Sequence, residues 1–195
     1  MNKKELLTTL KDQGFSKNII NTFEKIKREQ FIPEAFKPLA YNNEALPLER
    51  GATISQPYTI AFMLALLELK PSQKILEVGS GSGYVLALLD ELTKGDIYGI
   101  EIIRSLFVSS KQILSKHKNI KIINKNGSKG LIENAPFDRI LISASSDKVP
   151  SHLYNQLKDE GIIVAPVKNS IFQIRKHNSK LSIKEFPGFV FVPLV

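Results

Sequence analysis

The sequence predicts an α/β protein built on a doubly wound, mostly parallel sheet, with a helical extension before it and short antiparallel strands after it. Three observations carry this expectation. The apolar run Ile75-Leu76-Glu77-Val78 breaks into glycines at 79, 81 and 83 and resumes as an apolar stretch over 84–92, the order strand, tight turn, helix. From Lys74 onward, strand-like and helix-like segments alternate, which implies a parallel sheet covered on both faces. Past residue 167 the pattern becomes short strand-like runs joined by turns at Asn178-Ser179 and Pro187-Gly188.

Taken in order, Leu6, Leu7 and Leu10 recur at helical spacing before Gly14. Ile19, Ile20, Phe23 and Ile26 do so after Ser16, a suitable N-cap, so the two segments predict a helical hairpin. Phe31-Ile32-Pro33 is expected to end the second helix, because a residue before proline avoids the helical region. Residues 36–55 show little periodicity and read as a long connection, of the kind that is functional or disordered. Thr53-Ile54-Ser55-Gln56-Pro57 closes it and opens a largely buried helix over 58–69, with Pro57 in the first turn and Ser55 or Gln56 as cap. The alternation then gives strand 74–79, helix 83–93, strand 96–101, helix 104–116 and strand 119–123. A loop over 125–136 precedes strand 138–143, a helix near 149–157 and strand 161–167. The closing strand-like runs are 171–176, 181–186 and 189–192. One domain is expected over 1–195, with the extension and its loop at 1–56, the α/β core at 57–167 and the terminal strands at 168–195.

Hydrophobic content of 43% and charged content of 24% are globular values. The chain has no cysteine, which excludes disulfides and thiolate nucleophiles. His117, His152 and His177 are scattered without ligand spacing, so no metal site is expected. The longest apolar run, 60–67 with Leu69 just beyond, is too short to cross a bilayer, and no secretory segment follows Met1. A cytoplasmic location without a membrane partner is the expectation. The net charge of +8 invites a polyanion, but the positive residues are mostly Lys spread along the chain, with no Arg-rich block. A solvated surface is the better reading; nucleic acid stays open.

At the glycines the missing Cβ permits positive φ and close approach, so a ligand can lie against bare backbone at a strand end, facing a helix N-terminus. About twenty residues on, Ile97-Tyr98-Gly99-Ile100 ends in Glu101, where nucleotide-binding sheets carry an acid for ribose hydroxyls. The spacing is not G-x-G-x-x-G, which disfavours a nicotinamide oxidoreductase. Glu77 followed by G-x-G-x-G resembles the first motif of class I S-adenosylmethionine methyltransferases, whose sheet is Rossmann-like.

Several further segments resemble the protein-L-isoaspartate (D-aspartate) O-methyltransferase family in register from Arg28 to Leu194. They are Arg28-Glu29-Gln30-Phe31-Ile32-Pro33, Thr53-Ile54-Ser55-Gln56-Pro57, the glycine motif from Leu76 to Tyr84, Ile100-Glu101, Ala135-Pro136-Phe137-Asp138, Gln156-Leu157-Lys158 before Gly161, and Phe191-Val192-Pro193-Leu194. The resemblance implies methyl transfer from S-adenosylmethionine, leaving S-adenosylhomocysteine, to the free carboxylate of isoaspartyl and D-aspartyl residues in damaged proteins. The methyl ester then cyclises to a succinimide, whose opening returns some normal aspartate. It places the active-site serine at Ser55, with Thr53, Ile54 and Ser55 on the acceptor. Glu77, Gly79, Ser80, Gly81, Gly83, Glu101, Asn126 and Gly127 fall to the cofactor.

The chemistry suits these residues, since a carboxylate is already nucleophilic at pH 7 and needs no general base. The hydroxyls of Thr53 and Ser55 precede a helix whose free N–H groups form an anion site. The bland alternatives are a Ser55 that only caps that helix, a role worth about 1 kcal/mol, an Asn126-Gly127 that is only a turn, and a Glu77 held by backbone amides. Asp138 reads as a strand opener and Arg28 as a surface helix charge. Against the family pattern, Asn43, Ala45, Leu48, Glu49 and Ala52 depart in the substrate-side loop, and Asn126 puts an amide where a carboxylate is common. Rival functions are a methyltransferase of this fold acting on RNA or a small molecule, and a relative that binds the cofactor without catalysis.

Overall fold

The computed structural model describes residues 1–144 and 147–191. Two short helices open the chain, α1 (Lys3–Asp12) and α2 (Lys17–Lys25). Asn2 caps α1 in a reciprocal box with Glu5, and Ser16 caps α2 by accepting from Ile19 N. α2 stops before the expected proline boundary: Ile26 and Lys27 turn extended, and Arg28–Phe31 forms a separate 3-10 turn that carries Arg28 inward. The aperiodic stretch contains two further 3-10 turns and a two-residue antiparallel hairpin, β1 (Leu46–Pro47) with β2 (Thr53–Ile54). Strands of two residues are too short for alternation to register.

α3 (Pro57–Leu66) leads to β3 (Ile75–Val78), α4 (Tyr84–Thr93), β4 (Ile97–Glu101), α5 (Arg104–Ile113), β5 (Ile120–Asn124) and β6 (Phe137–Ile142). β7 (Leu157–Val167), β8 (Ser170–His177) and β9 (Lys180–Pro187) complete a seven-stranded sheet in the order β5-β4-β3-β6-β7-β8-β9. The first five strands in that order are parallel, and β8 and β9 are added antiparallel, each beside its predecessor. The expected helix near 149–157 is a 3-10 turn, Ser151–Gln156, and β7 starts earlier than its apolar run suggests. A register irregularity between Phe137 and Arg139 absorbs the extra residues. The third closing run is not a strand over its described part, and Val192, Pro193 and Leu194 lie outside the described residues. After Gly188 the chain is held at Asn169 O by Gly188 N and Phe189 N, which brings Phe189 onto the ring of Phe62 at 5.1 Å.

β3 and β4 are buried along their whole length because the sheet is covered on both faces. Alternate residues feed two cores: Ile75 and Leu141 join Leu6, Leu10, Phe23 and Leu88 on one face, while Leu76, Ile140 and Ile142 join Phe137 and Leu153 on the other. The N-terminal hairpin packs against α3 and α4 and so shares the core on one face of the sheet.

Gly83, the N-cap of α4, has φ +83°, and a Cβ there would come within 2.7 Å of Leu114 Cδ1 and 3.1 Å of Ser110 Cβ. Overpacking and backbone strain add, so Gly83→Ala is expected to cost about 2–4 kcal/mol of stability in urea unfolding. A cost under about 0.5 kcal/mol, the scale of a neutral surface change, would contradict this packing.

Candidate active site

The carboxyl end of β3 runs straight into the glycine turn, and the turn is fixed to the end of β4. Gly79 N and Ser80 N both donate to Ile100 O, at 2.9 and 3.0 Å. Gly81 N donates to Glu101 Oε2 at 2.7 Å, and Ile103 N, at the start of α5, donates to Glu101 Oε1 at 2.7 Å. One carboxylate thus spans two loops. Gly79 and Gly81 have φ of +80° and +53° with no crowding at the Cβ position, so the backbone angle is what requires glycine there.

Against this turn lies a cleft that brings together Thr53, Ile54, Ser55, Glu77, Gly79, Ser80 and Gly81. Ile60, Met63 and Leu141 give it an apolar wall, and Ser82, Tyr84, Val85 and Ser143 complete the lining. Thr53 and Ser55 also line a second cavity with Ala45, Gln56, Thr59, Val190 and Phe191. Ser55 therefore stands between two openings, one toward the glycine turn and one toward the outer loop.

Glu77 sits beneath the cleft, 1% exposed. Its partner is the Ser143 hydroxyl, which donates to Oε1 at 2.6 Å, rather than backbone amides. Burial pushes its carboxyl up to about 8, a rise that Ser143 opposes and the nearby Glu101 reinforces. Among the described residues three side-chain atoms are buried without a hydrogen-bond partner: Glu77 Oε2 and Ser80 Oγ at the cleft, and Arg28 Nε away from it. Two orphaned polar atoms beside bare glycine backbone suit a ligand carrying its own polar groups, such as the amino-acid part of S-adenosylmethionine.

Gly83, Glu101, Asn126 and Gly127 do not line this cleft. Gly83 makes room for α5, and Gly127 packs on β3, its absent Cβ falling 2.5 Å from Val78 Cγ1. Asn126 accepts from Ser128 N at 2.7 Å, which is the local turn its Asn-Gly pair suggests. Ser55 does not cap α3: Gln56 is the N-cap and makes no side-chain cap bond. The anion site expected at that helix end is also largely occupied. Pro57 has no N–H, Asn43 Oδ1 accepts from Tyr58 N at 2.9 Å, and Ile60 N is bonded to Gln56 O.

Sequence reasoning missed Ser143 and Arg28. Ser143 follows β6, so its place at the carboxyl end of a parallel strand was the available signal. Arg28, read as a surface charge, is fully buried. Asp138 lies at the start of β6, where it accepts from Lys74 N and pairs with Lys158. No helix among the described residues is long and apolar enough to cross a membrane.

The sheet, the glycine turn and the cleft above Glu77 define a Rossmann-like S-adenosylmethionine-dependent methyltransferase. A solved protein-L-isoaspartate O-methyltransferase superposes with a TM-score of 0.90 at 25% identity over 98% of this chain, which spans 65% of that protein's length. A putative enzyme of the same name from Plasmodium falciparum, crystallised with S-adenosyl-L-homocysteine, gives a TM-score of 0.89 at 26% identity over 100% of this chain and 99% of its own. The protein-L-isoaspartate O-methyltransferase of Dictyoglomus thermophilum is 40% identical over 98% of this chain and 90% of its own length. The family model described as protein-L-isoaspartate(D-aspartate) O-methyltransferase matches residues 1–195. The chain belongs to that family.

A carboxyl neutral in the fold and ionised in the unfolded chain stabilises the fold below its unfolded value, and that contribution is lost as pH rises toward about 8. Between about pH 5 and 8, stability should fall in the native chain relative to Glu77→Gln, by up to about 1.4 kcal/mol per pH unit. Chemical denaturation across that range measures it; parallel curves for the two chains would show that Glu77 is ionised in the fold.

Proposed function

We propose that this chain methylates the free carboxylate of isoaspartyl and D-aspartyl residues in damaged proteins, opening their repair. The observation that carries the reading is Ser55, placed between the cleft at the glycine turn and the outer cavity. S-adenosylmethionine, when bound, supplies an electrophilic methyl group on a sulfonium. We assign Glu77, Gly79, Ser80 and Gly81 to its amino-acid part, Glu101 to the ribose, and Asn126 and Gly127 to the adenine side, with Gly83 supporting the turn. Glu101 already holds the turn by Gly81 N, so its contribution includes shaping the surface on which the ribose lies.

The acceptor arrives ionised, and the chain's task is to orient it and keep water away. Thr53 and Ser55 offer hydroxyl donors to the carboxylate, and Ile54, Ile60, Met63 and Leu141 form the apolar wall that limits its hydration. With little of the α3 N-terminus left free, the hydroxyls rather than the helix end do the holding.

Labelled methyl groups should enter an isoaspartyl peptide, while its normal aspartyl twin and bulk RNA remain unlabelled. Labelling of RNA in place of the peptide would move the activity to another acceptor. Ser55→Ala should lower kcat/KM about ten- to a hundredfold, the scale of one hydrogen bond to a charged group, with melting temperature unchanged. Full activity in that variant would remove Ser55 from the site.

A further inference from the structure

Both terminal nitrogens of Arg28 are occupied by main-chain carbonyls. Nη1 donates to Ala40 O at 2.8 Å and Asn42 O at 3.3 Å; Nη2 donates to Glu44 O at 3.1 Å, Ser55 O at 3.1 Å and Ile54 O at 3.5 Å. No carboxylate bonds the guanidinium among the described residues. The side chain is fully buried, and burial lowers its pKa to about 10. For stability alone this is a poor use of a side chain, because a buried cation loses its hydration and apolar residues commonly serve as well. Its effect is geometric. It ties the 40–44 stretch, which contributes no strand, to the end of β2 and to Ser55. The same stretch holds the start of α3 through Asn43 and Tyr58 N.

We propose that Arg28 is the positioning residue for Ser55: by gripping the Ser55 carbonyl together with the loop carbonyls opposite, it sets where the serine hydroxyl stands between the two cavities. The proposal rests on the reading of Ser55 as the acceptor-binding serine. Arg28 touches neither substrate nor cofactor in this account. Lysine preserves the charge but cannot fork to five carbonyls.

The test measures isoaspartyl-peptide kinetics and S-adenosylhomocysteine affinity by calorimetry in Arg28→Lys, Ser55→Ala and the double variant. Arg28→Lys should lose about ten- to a hundredfold in kcat/KM for the peptide, as a misplacement near 1 Å does, with the calorimetric Kd within about threefold of native. In the Ser55→Ala background the same change should have almost no further effect, since there is no hydroxyl left to place. If the two losses multiply, Arg28 does not act through Ser55 and the proposal fails, while the role of Ser55 stands. If Ser55→Ala alone is fully active, the reading of Ser55 fails, and the proposal with it. Should Arg28→Lys not fold, Arg28→Gln is put through the same comparison. Loss of cofactor binding and methylation together in both variants makes Arg28 a general scaffold residue and overturns the proposal.

Discussion

The site depends on the carboxylate of Glu101. Its two oxygens take one amide from the glycine turn and one from the entry to α5, and Ile100 O, the carbonyl just before it, takes two more amides from the turn. A turn that must run through positive φ at Gly79 and Gly81 has little intrinsic preference for one shape, and the three of these bonds that it makes itself supply it. They also hold the carboxyl ends of the neighbouring strands β3 and β4 together. Asn124 extends the tie to β5 by donating to Glu101 O and Ile102 O.

The other wall of the cleft comes from a part of the chain with almost no regular structure. Between the 3-10 turn at Arg28–Phe31 and α3, the only strands are the two-residue pair β1 and β2. Polar side chains do there what a ladder does elsewhere. Arg28 satisfies carbonyls on both arms of the loop, and Asn43 satisfies an amide of α3. Asn43 stands where the family pattern has another residue, and its bond to Tyr58 N gives it a structural use in this loop. One side of the cleft is thus built from sheet ends and the other from a cross-linked loop.

Much of this was legible in the residues. The glycine spacing located the cleft because it follows from one strand-turn-helix unit, and Glu101 proved to hold that turn rather than to line the cleft. Ser55, singled out by its segment, lines the cleft, and the structure gives the helix cap to Gln56. What could not be read depends on pairing at long range. Arg28 carries no local sign of burial, since its partners lie 12 to 27 residues away. Glu77 was placed by its motif, but its partner Ser143 lies just past β6, 66 residues further on. Gly83 shows the converse: its place in the motif assigns it to the ligand, while Leu114 and Ser110 crowd it from α5. The helix that the alternation suggests near 149–157 is a 3-10 turn, Ser151–Gln156, whose Gln156 turns its side chain to Leu131 N and Lys129 O.

The central claim is that one cleft, floored by the glycine turn and walled by Ser55, holds donor and acceptor together. A crystal structure of the chain soaked with S-adenosylhomocysteine addresses it most directly. The amino-acid part should lie against Gly79–Gly81 beside Glu77 and Ser80, with the ribose toward Glu101 and the sulfur facing the Ser55 hydroxyl. Cofactor lodged elsewhere, or Ser55 turned from the sulfur into the core, would contradict it.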